Sequence, residues 1–233
     1  MPPALVLSGV TKLFGKIRAL DALDLTLEAG SIHGFVGPNG AGKTTMLSVV
    51  SGLKRQTSGE IEFGVSARQM MLMPDTPEFF PLLTAREVVD LARHPFRHEI
   101  DETDVASIIR EVGLEEAIDR RVGGFSRGMK QRLGLAAALI GRPELVLLDE
   151  PCSALDPIGR REVLDMISQL KGRATVLFST HILSDVEDVC DSVTVVNHGR
   201  AVYEGTVKGI KKKRGQSFEQ AVLELLLPER GEK

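Results

Sequence analysis

The first part of the chain alternates apolar and polar residues, which predicts half-buried β-strands at 4–10 and 24–27. Residues 11–16 between them are predicted to form a polar loop. Four later apolar runs are continuous, as in strands that are buried on both faces of a sheet. They lie at 31–36, Met70–Met73, 144–149 and 174–179. Two short runs at 193–196 and 201–203 predict a hairpin that turns at Asn-His-Gly-Arg.

Other segments carry apolar residues every three to four positions, which predicts amphipathic helices. The predicted helices lie at 46–50, 84–92, 101–114, 115–122, 133–140, 158–170, 182–190 and 217–227. The second of them begins with Thr84, followed three residues later by Glu87. This pair predicts a capping box, in which each side chain accepts a hydrogen bond from the other residue's backbone N–H.

The order of these elements predicts an α/β fold with a helical insertion. Strands and helices alternate towards both ends of the chain, whereas the middle is mostly helical. We therefore expect residues 1–233 to form one domain. Its α/β core, which includes a small antiparallel β portion, comprises 1–83 and 142–233, and its helical subdomain comprises 84–141.

Composition excludes several classes of protein. The formal net charge is −3, so the chain has no global basic field for nucleic acid. No apolar stretch reaches the roughly 18 residues of a membrane span, and the N-terminus lacks the basic start of a signal peptide. Cys152 and Cys190 lie far apart, outside any metal-binding spacing, which fits a reducing cytosol. We expect an intracellular protein without its own membrane anchor.

The sequence GPNGAGKTT at 37–45 carries the most specific chemical signal. It joins a predicted strand to a predicted helix, the context in which a G-x-x-x-x-G-K-[ST] loop binds a triphosphate. Glycines let backbone N–H groups converge on phosphate oxygens, and the start of the helix adds partial positive charge. Lys43 is predicted to reach the β- and γ-phosphates, and the Thr44 hydroxyl to bind Mg²⁺.

Asp149 and Glu150 end the apolar run at 144–149, and His181 follows the run at 174–179. Residues at strand ends lie at the carboxyl edge of a parallel sheet, where open α/β folds bind ligands. The Asp149 carboxylate suits Mg²⁺, and the Glu150 carboxylate can take a proton from an attacking water. The imidazole of His181 can donate a hydrogen bond to a γ-phosphate.

Three further features admit two interpretations each. Phe14 is either a core residue or a ring that stacks on a nucleotide base. Ser126 and Gly128 form either an ordinary helix cap or an anion site. The basic run at 211–214 is either a solvated patch, which we favour, or a contact to acidic lipid or nucleic acid.

Together these motifs resemble those of the ATP-binding subunits of ABC transporters, and the resemblance covers almost the whole chain. Residues 37–44 correspond to the Walker A loop, and 145–149 to Walker B with Glu150 behind it. Residues 153–156 resemble the D-loop, and His181 falls at the switch histidine. The sequence FSRGM at 125–129 replaces the family's LSGGQ signature, in a form similar to that of drug, antibiotic and polysaccharide exporters.

The resemblance implies a P-loop NTPase (RecA-like) core and a role for each candidate residue. Glu150, His181 and Lys43 would be catalytic. The residues implied to bind ATP are Phe14, Gly37, Pro38, Asn39, Gly40, Ala41, Gly42, Lys43, Thr44, Thr45, Ser126, Arg127, Gly128 and Met129. Mg²⁺ would be bound by Thr44, Asp149 and Asp75. Asp75 stands at the Q-loop position, where the family has Gln or Glu, and its shorter side chain leaves a water-bridged contact open.

The implied function is an ATP-hydrolysing subunit that powers transport, in the direction of export, through a separate membrane permease. Such a protein would lie on the cytoplasmic face of the cell membrane. Two subunits, identical or not, would close head to tail around ATP, and 75–83, with Phe79 and Phe80, would contact the permease. No nucleic acid partner is expected. The alternatives are a soluble ABC-type ATPase in DNA repair, translation or cofactor assembly, a P-loop phosphotransferase, and a regulator that does not hydrolyse ATP.

Overall fold

The structure, a computed structural model, describes residues 2–211 and 215–227, which contain two sheets and seven α-helices. The strands are β1 (Leu5–Phe14), β2 (Ile17–Leu27), β3 (Ile32–Val36), β4 (Ser58–Phe63), β5 (Met70–Met73), β6 (Leu145–Asp149), β7 (Thr175–Thr180), β8 (Ser192–Asn197) and β9 (Arg200–Thr206). The helices are α1 (Lys43–Val50), α2 (Ala85–Arg93), α3 (Glu102–Glu111), α4 (Arg127–Leu139), α5 (Pro157–Gln169), α6 (Leu183–Val189) and α7 (Phe218–Leu226).

The larger sheet has the strand order β5-β6-β7-β3-β8-β9 and is parallel except for β9. Strands β3, β6 and β7 are buried along their whole length. Along β6, Leu145 and Leu147 pack in a core with α1 and the smaller sheet, whereas Val146 and Leu148 pack in a core with α4 and α5. Burial on both faces explains why these strands have continuous apolar sequences.

The register of the central strands aligns their carboxyl ends. Asp149 of β6 lies opposite Ser179 of β7, and Thr180 of β7 lies opposite Val36 of β3. The segments that follow β3, β6 and β7 therefore begin next to one another at one edge of the sheet.

The smaller sheet is antiparallel, with the order β2-β1-β4. The predicted loop at 11–16 is wrong, because β1 continues to Phe14 and pairs there with Ile17 of β2. Register shifts interrupt this pairing between Leu7 and Leu13. Bulges of this kind disturb the alternation of apolar and polar residues, so the sequence of the second half of β1 does not show the pattern that predicts a strand.

Helices α2, α3 and α4 occupy the stretch between β5 and β6. The capping box is confirmed: the Thr84 N–H donates to Glu87 Oε2 at 2.7 Å, and the Glu87 N–H donates to Thr84 Oγ1 at 3.2 Å. We keep the helical subdomain at 84–141 as a proposal, which this group of helices supports.

The predicted helix at 115–122 is wrong, since the segment contains a 3₁₀ turn at Glu115–Ala117 and the first residue of another at Val122–Gly124. The carbonyl oxygen of Ile118 accepts a hydrogen bond from the Arg86 N–H at 2.9 Å. The segment thus satisfies the free N–H groups at the start of α2 instead of continuing its own helix.

Two other expectations are changed. Only Met73 of β5 is buried, because β5 lies at the edge of the sheet and pairs with β6 alone. Lys211 forms an ion pair with Glu187 of α6, with 2.7 Å between Nζ and Oε1, and the rest of the basic run, 212–214, lies outside the described residues.

None of the helices in the described ranges combines the length and the apolar content that a membrane crossing requires.

His33 is a buried polar residue in the middle of β3, 1% exposed. Its Nδ1 lies 2.7 Å from Ser192 Oγ and its Nε2 lies 2.9 Å from Thr194 Oγ1, both on β8. Burial lowers the pKa of His33 from 6.5 to about 3. The folded protein therefore keeps this imidazole neutral at pH values at which the unfolded chain protonates it.

We predict that His33 makes the folded state less stable as the pH falls below 6.5. The unfolded chain gains a proton there that the folded chain excludes, so the free energy of unfolding falls by about 2 kcal/mol between pH 7.5 and pH 5 from this residue. Urea unfolding at both pH values checks this for the wild type and for His33→Gln, which should lose that share of the pH dependence. His98→Gln, at an exposed histidine, should keep it. Equal pH dependence in the wild type and His33→Gln would contradict the prediction.

Candidate functional site

The glycine-rich loop at 37–42 joins β3 to α1 and is closely packed by backbone atoms. A Cβ atom on Gly37 would lie 2.3 Å from the Val196 carbonyl oxygen, and one on Gly42 would lie 2.5 Å from the Ala19 carbonyl oxygen. Gly42 also has φ +107°, which disfavours other residues. Strands β2 and β8 therefore fix a loop shape that only glycine allows at these two positions.

Lys43 is the first residue of α1 and is only 7% exposed. Its Nζ donates to the carbonyl oxygens of Gly37 at 2.9 Å and Pro38 at 3.4 Å, and lies 3.5 Å from Glu150 Oε1. The N–H groups in the first turn of α1 have no acceptor within the helix. An ammonium group and free backbone donors thus meet at one point, which suits an anion.

A cavity of about 340 Å³ lies beside this loop. It is lined by Ile17, Arg18, Ala19, Asn39, Gly40, Gly42, Lys43, Thr44, Thr45, Asp75 and Glu150. The structure therefore brings the loop residues together with Asp75 and Glu150, which come from distant parts of the chain.

Asp149 and Glu150 are held by a serine that the sequence analysis missed. Ser179 Oγ donates to Asp149 Oδ1 at 2.5 Å and accepts from the Glu150 N–H at 3.2 Å. Ser179 is fully buried near the end of β7. A hydroxyl side chain at the end of an apolar strand, at the sheet edge predicted to bind a ligand, was the signal that could have found it.

Glu150 lies between two of the predicted site residues. Its Oε2 is 2.9 Å from His181 Nδ1, and its Oε1 is 3.5 Å from Lys43 Nζ. Its backbone has φ +48°, in the left-handed region that a non-glycine residue rarely adopts. Such a conformation costs about 1 kcal/mol or more and is common at functional sites. The three residues predicted to be catalytic are therefore adjacent.

Ser126 caps α4, since its Oγ accepts a hydrogen bond from the Met129 N–H at 3.2 Å. A Cβ atom on Gly128 would lie 3.3 Å from Leu155 Cδ2 and 3.4 Å from the Ala154 carbonyl oxygen. The start of α4 therefore packs directly against the segment at 153–156.

A second cavity, of about 800 Å³, opens at the start of α4. Its lining includes Ser126, Arg127, Gly128 and Met129, together with Arg110, Arg120 and Arg132. Three acidic residues also line this cavity, and Arg110 forms an ion pair with one of them, Glu115, so the excess of positive charge is small. None of these seven residues lines the first cavity. Within one chain, the predicted nucleotide-binding residues that line these cavities thus fall into two groups, whereas Phe14, Gly37, Pro38 and Ala41 line neither of the two.

Asp75 follows β5 and lines the first cavity. Its Oδ1 accepts a hydrogen bond from Ser153 Oγ at 2.8 Å and lies 3.6 Å from Arg127 Nη2. Asp75 is predicted from the sequence to bind a metal ion, whereas these two contacts have no signal in the sequence.

Phe14 is 41% exposed at the end of β1, so its interpretation as a core residue is wrong. The amino groups of Lys12 and Lys54 lie 5.0 Å and 5.6 Å from its ring centroid, within cation–π range. Its neighbours on β2, Ile17 and Arg18, line the first cavity. Stacking of Phe14 on a nucleotide base stays a prediction.

Gln131 of α4 is a second residue that the sequence analysis missed. It is 1% exposed, and its Nε2 donates to the Glu150 carbonyl oxygen at 3.1 Å. This hydrogen bond connects α4, which begins at the second cavity, to Glu150, which lines the first cavity. A polar residue on the helix face that also carries the buried Leu135 and Ala138 was the available signal.

An ion pair connects α5 to α6 behind the site. Arg160 Nε donates to Asp185 Oδ1 at 2.7 Å, and Asp185 is 1% exposed. Burial raises the pKa of Asp185, although its hydrogen bond with Arg160 opposes that shift. Burial also raises the pKa of the nearby Cys152 thiol to about 12, so this cysteine stays protonated near neutral pH. The pair links the helix after 153–156 to the helix after His181.

Comparison with known proteins assigns the chain to a family. The family described as ABC transporter matches residues 20–153, more than half of the chain. YxlF of Bacillus subtilis (strain 168), an uncharacterized ABC transporter ATP-binding protein, is 43% identical over 186 residues, which are 77% of this chain and 63% of YxlF. The bacitracin transport ATP-binding protein BcrA of Bacillus licheniformis is 36% identical over 228 residues, which are 90% of this chain and 72% of BcrA.

A solved structure described as the ATP-binding subunit of an ABC transporter superposes with a TM-score of 0.86 and 28% identity. The match covers 95% of this chain and 99% of that one. This protein therefore belongs to the ABC transporter family, and its predicted P-loop NTPase fold is confirmed. The chain spans less than two thirds of the length of YxlF.

We predict that Gly42→Ala weakens ATP binding at least about tenfold, because its Cβ would collide with the Ala19 carbonyl oxygen and displace the loop. Binding of a fluorescent ATP analogue measures the effect. Gly52→Ala is the matched control, since Gly52 has a similar φ of +77° and no atom within 4 Å of an added Cβ. Equal losses in both variants would show that backbone strain, and not the collision, is responsible.

Proposed function

We propose that this protein binds and hydrolyses ATP as the energy-supplying subunit of an ABC transporter, and that it drives export through a separate membrane permease. The position of Glu150, between Lys43 and His181 and on the wall of the first cavity, is the observation that carries the proposal. Membership in the ABC transporter family and the similarity to BcrA, which is described as a bacitracin transport protein, support it.

The first cavity would hold the triphosphate. The loop residues 37–45 would surround the phosphates, and Lys43 would exchange its contacts with Gly37 and Pro38 for phosphate oxygens. The buried ammonium group of Lys43 already donates hydrogen bonds to two carbonyl oxygens of the loop, so it is oriented to donate to an anionic ligand. Phe14 would stack on the adenine from the adjoining hairpin.

Mg²⁺ would be held by Thr44, whose hydroxyl lies at the cavity, and by the carboxylate of Asp149. Both offer the oxygen ligands that Mg²⁺ prefers. The described residues contain no cluster of three or more acidic, histidine or cysteine side chains that would hold a metal alone. The donor set therefore fits an ion that takes its remaining ligands from phosphate and water. A bound ion would neutralise charge on the phosphates.

Glu150 would remove a proton from the attacking water as the water oxygen forms a bond to the γ-phosphorus. The bond between that phosphorus and the oxygen of ADP then breaks, which releases phosphate. His181, at 2.9 Å, would fix the orientation of the Glu150 carboxylate and donate to the γ-phosphate.

Each ATP would need two chains. The first cavity lacks the residues at 126–129, which line the second cavity of the same chain. A head-to-tail dimer would bring the second cavity of one subunit over the nucleotide of the other, so that the start of α4, with Ser126, Arg127 and Gly128, would meet the phosphates. Nucleotide binding would thus favour dimer closure, and hydrolysis would reverse it. The second subunit would be either an identical chain or a related one.

The permease would bind at the loop that follows Asp75 and at the adjacent helices. Phe80 and Leu82 are each 74% exposed there, whereas Phe79 is partly buried against the core. Exposed apolar residues of this kind mark interaction surfaces. This contact would place the protein on the cytoplasmic face of the cell membrane.

We predict that Glu150→Gln keeps ATP binding, lowers turnover about 100-fold or more and accumulates an ATP-dependent dimer, because the amide cannot take the proton from water. Steady-state phosphate release and gel filtration with ATP and Mg²⁺ measure these effects. Glu60→Gln, on the exposed strand β4, is the control and should behave as the wild type. A purely monomeric variant with turnover within a few-fold of the wild type would refute the proposal.

A further inference from the structure

Three polar residues from distant segments meet between the two cavities. Asp75 lines the first cavity, Arg127 lines the second, and Ser153 belongs to the segment that packs under Gly128. Ser153 Oγ donates to Asp75 Oδ1 at 2.8 Å, and Arg127 Nη2 lies 3.6 Å from the same oxygen and 3.5 Å from Ser153 Oγ. We refer to Asp75, Arg127 and Ser153 as the polar cluster.

The cluster is chemically matched. One carboxylate oxygen receives a hydroxyl donor and lies beside a guanidinium, so both partners satisfy the same negative charge. Side-chain exposures of 43% for Asp75 and 58% for Arg127 place the pair at the surface. An exposed ion pair of this kind changes an equilibrium constant only about two- to five-fold. The pair between Asp75 and Arg127 therefore contributes little to the stability of the fold, and its main effect is to fix the orientation of the side chains.

Arg127 is a long side chain at the first position of α4, and holding it in one orientation costs conformational entropy. A contact that holds it before binding removes part of that cost from the binding step. Asp75 supplies such a contact, and it also anchors Ser153. The backbone N–H of Ser153 donates to the Glu150 carbonyl oxygen at 3.1 Å. The polar cluster thus connects Glu150, whose carboxylate is the catalytic group, to the start of α4.

We propose that Asp75 is a positioning residue, which holds Arg127 and Ser153 ready to contact the nucleotide of a second subunit, and that this is its role in place of binding the metal ion. The proposal rests on the dimeric ATPase function proposed above.

The first test is made without nucleotide, so that it does not depend on activity. Hydrogen–deuterium exchange is measured for the wild type, Asp75→Asn, Asp75→Glu and Asp119→Asn. Asp119 is the matched control, because it forms an exposed ion pair with Arg86 at 2.9 Å and neither of these two residues lines either cavity. Asp75→Asn should speed exchange at 127–130 and 153–155 at least about threefold, and Asp75→Glu should restore most of the protection. Unchanged exchange in Asp75→Asn would overturn the proposal.

The second test uses the Glu150→Gln background and measures the ATP concentration that gives half-maximal dimer, first at a subsaturating and then at a saturating Mg²⁺ concentration. Adding Asp75→Asn should raise this concentration about two- to five-fold. Adding Asp75→Asn to Arg127→Gln should raise it by less than the product of the two single effects, because the contact with Arg127 is already absent and only the contact with Ser153 can still be lost. Independent, multiplicative effects would overturn the proposal. So would an effect of Asp75→Asn that disappears when more Mg²⁺ is added, because that result would assign Asp75 to the metal ion.

The two tests separate this inference from the proposed function. If Glu150→Gln forms no dimer with ATP, the proposed function fails, whereas the exchange experiment still decides whether Asp75 orders the two segments. If the dimer forms and Asp75→Asn has no coupling to Arg127→Gln, only the positioning role is refuted.

Discussion

Parallel pairing of β6, β7 and β3 is the constraint on which the site depends. Because the carboxyl ends of these strands are in register, the acidic pair after β6, the histidine after β7 and the glycine-rich loop after β3 reach the same edge of the sheet. Ser179 then fixes Asp149 and the Glu150 backbone from the neighbouring strand. The left-handed backbone of Glu150 is stabilised by these contacts and turns its carboxylate towards Lys43 and His181.

A set of hydrogen bonds extends from this edge to the start of α4. The Glu150 carbonyl oxygen accepts from Gln131 of α4 and from the Ser153 backbone, and Asp75 holds both Ser153 and Arg127. Hydrogen bonds therefore connect the two cavities within one chain, although in the proposed dimer each cavity would belong to a different nucleotide site. Such a connection lets the state of one cavity affect the geometry of the other.

Most of the fold and much of the site could be predicted from the sequence. The continuous apolar runs identified the central strands, and the residues that end them, Asp149, Glu150 and His181, were predicted to lie at the carboxyl edge of a parallel sheet. The features that the sequence did not predict depend on contacts between residues that are distant in the chain. Segment 115–122 has helical periodicity, but its carbonyl groups accept hydrogen bonds from the start of α2. In β1, bulges disturb the alternation of apolar and polar residues in the second half of the strand. The contacts of Ser179 and the pairing of Asp75 with Arg127 likewise require three-dimensional proximity that no local pattern encodes.

The central claim is that the first cavity binds a nucleoside triphosphate through the loop at 37–45 and the ammonium of Lys43. Isothermal titration calorimetry with a non-hydrolysable ATP analogue and Mg²⁺ tests it most directly, on the wild type and on Lys43→Ala. We expect a saturable isotherm with one site per chain, weakened about tenfold or more in the variant, because a buried charge-assisted contact to phosphate is lost. An absence of binding heat in the wild type, or equal affinity in both proteins, would contradict the account.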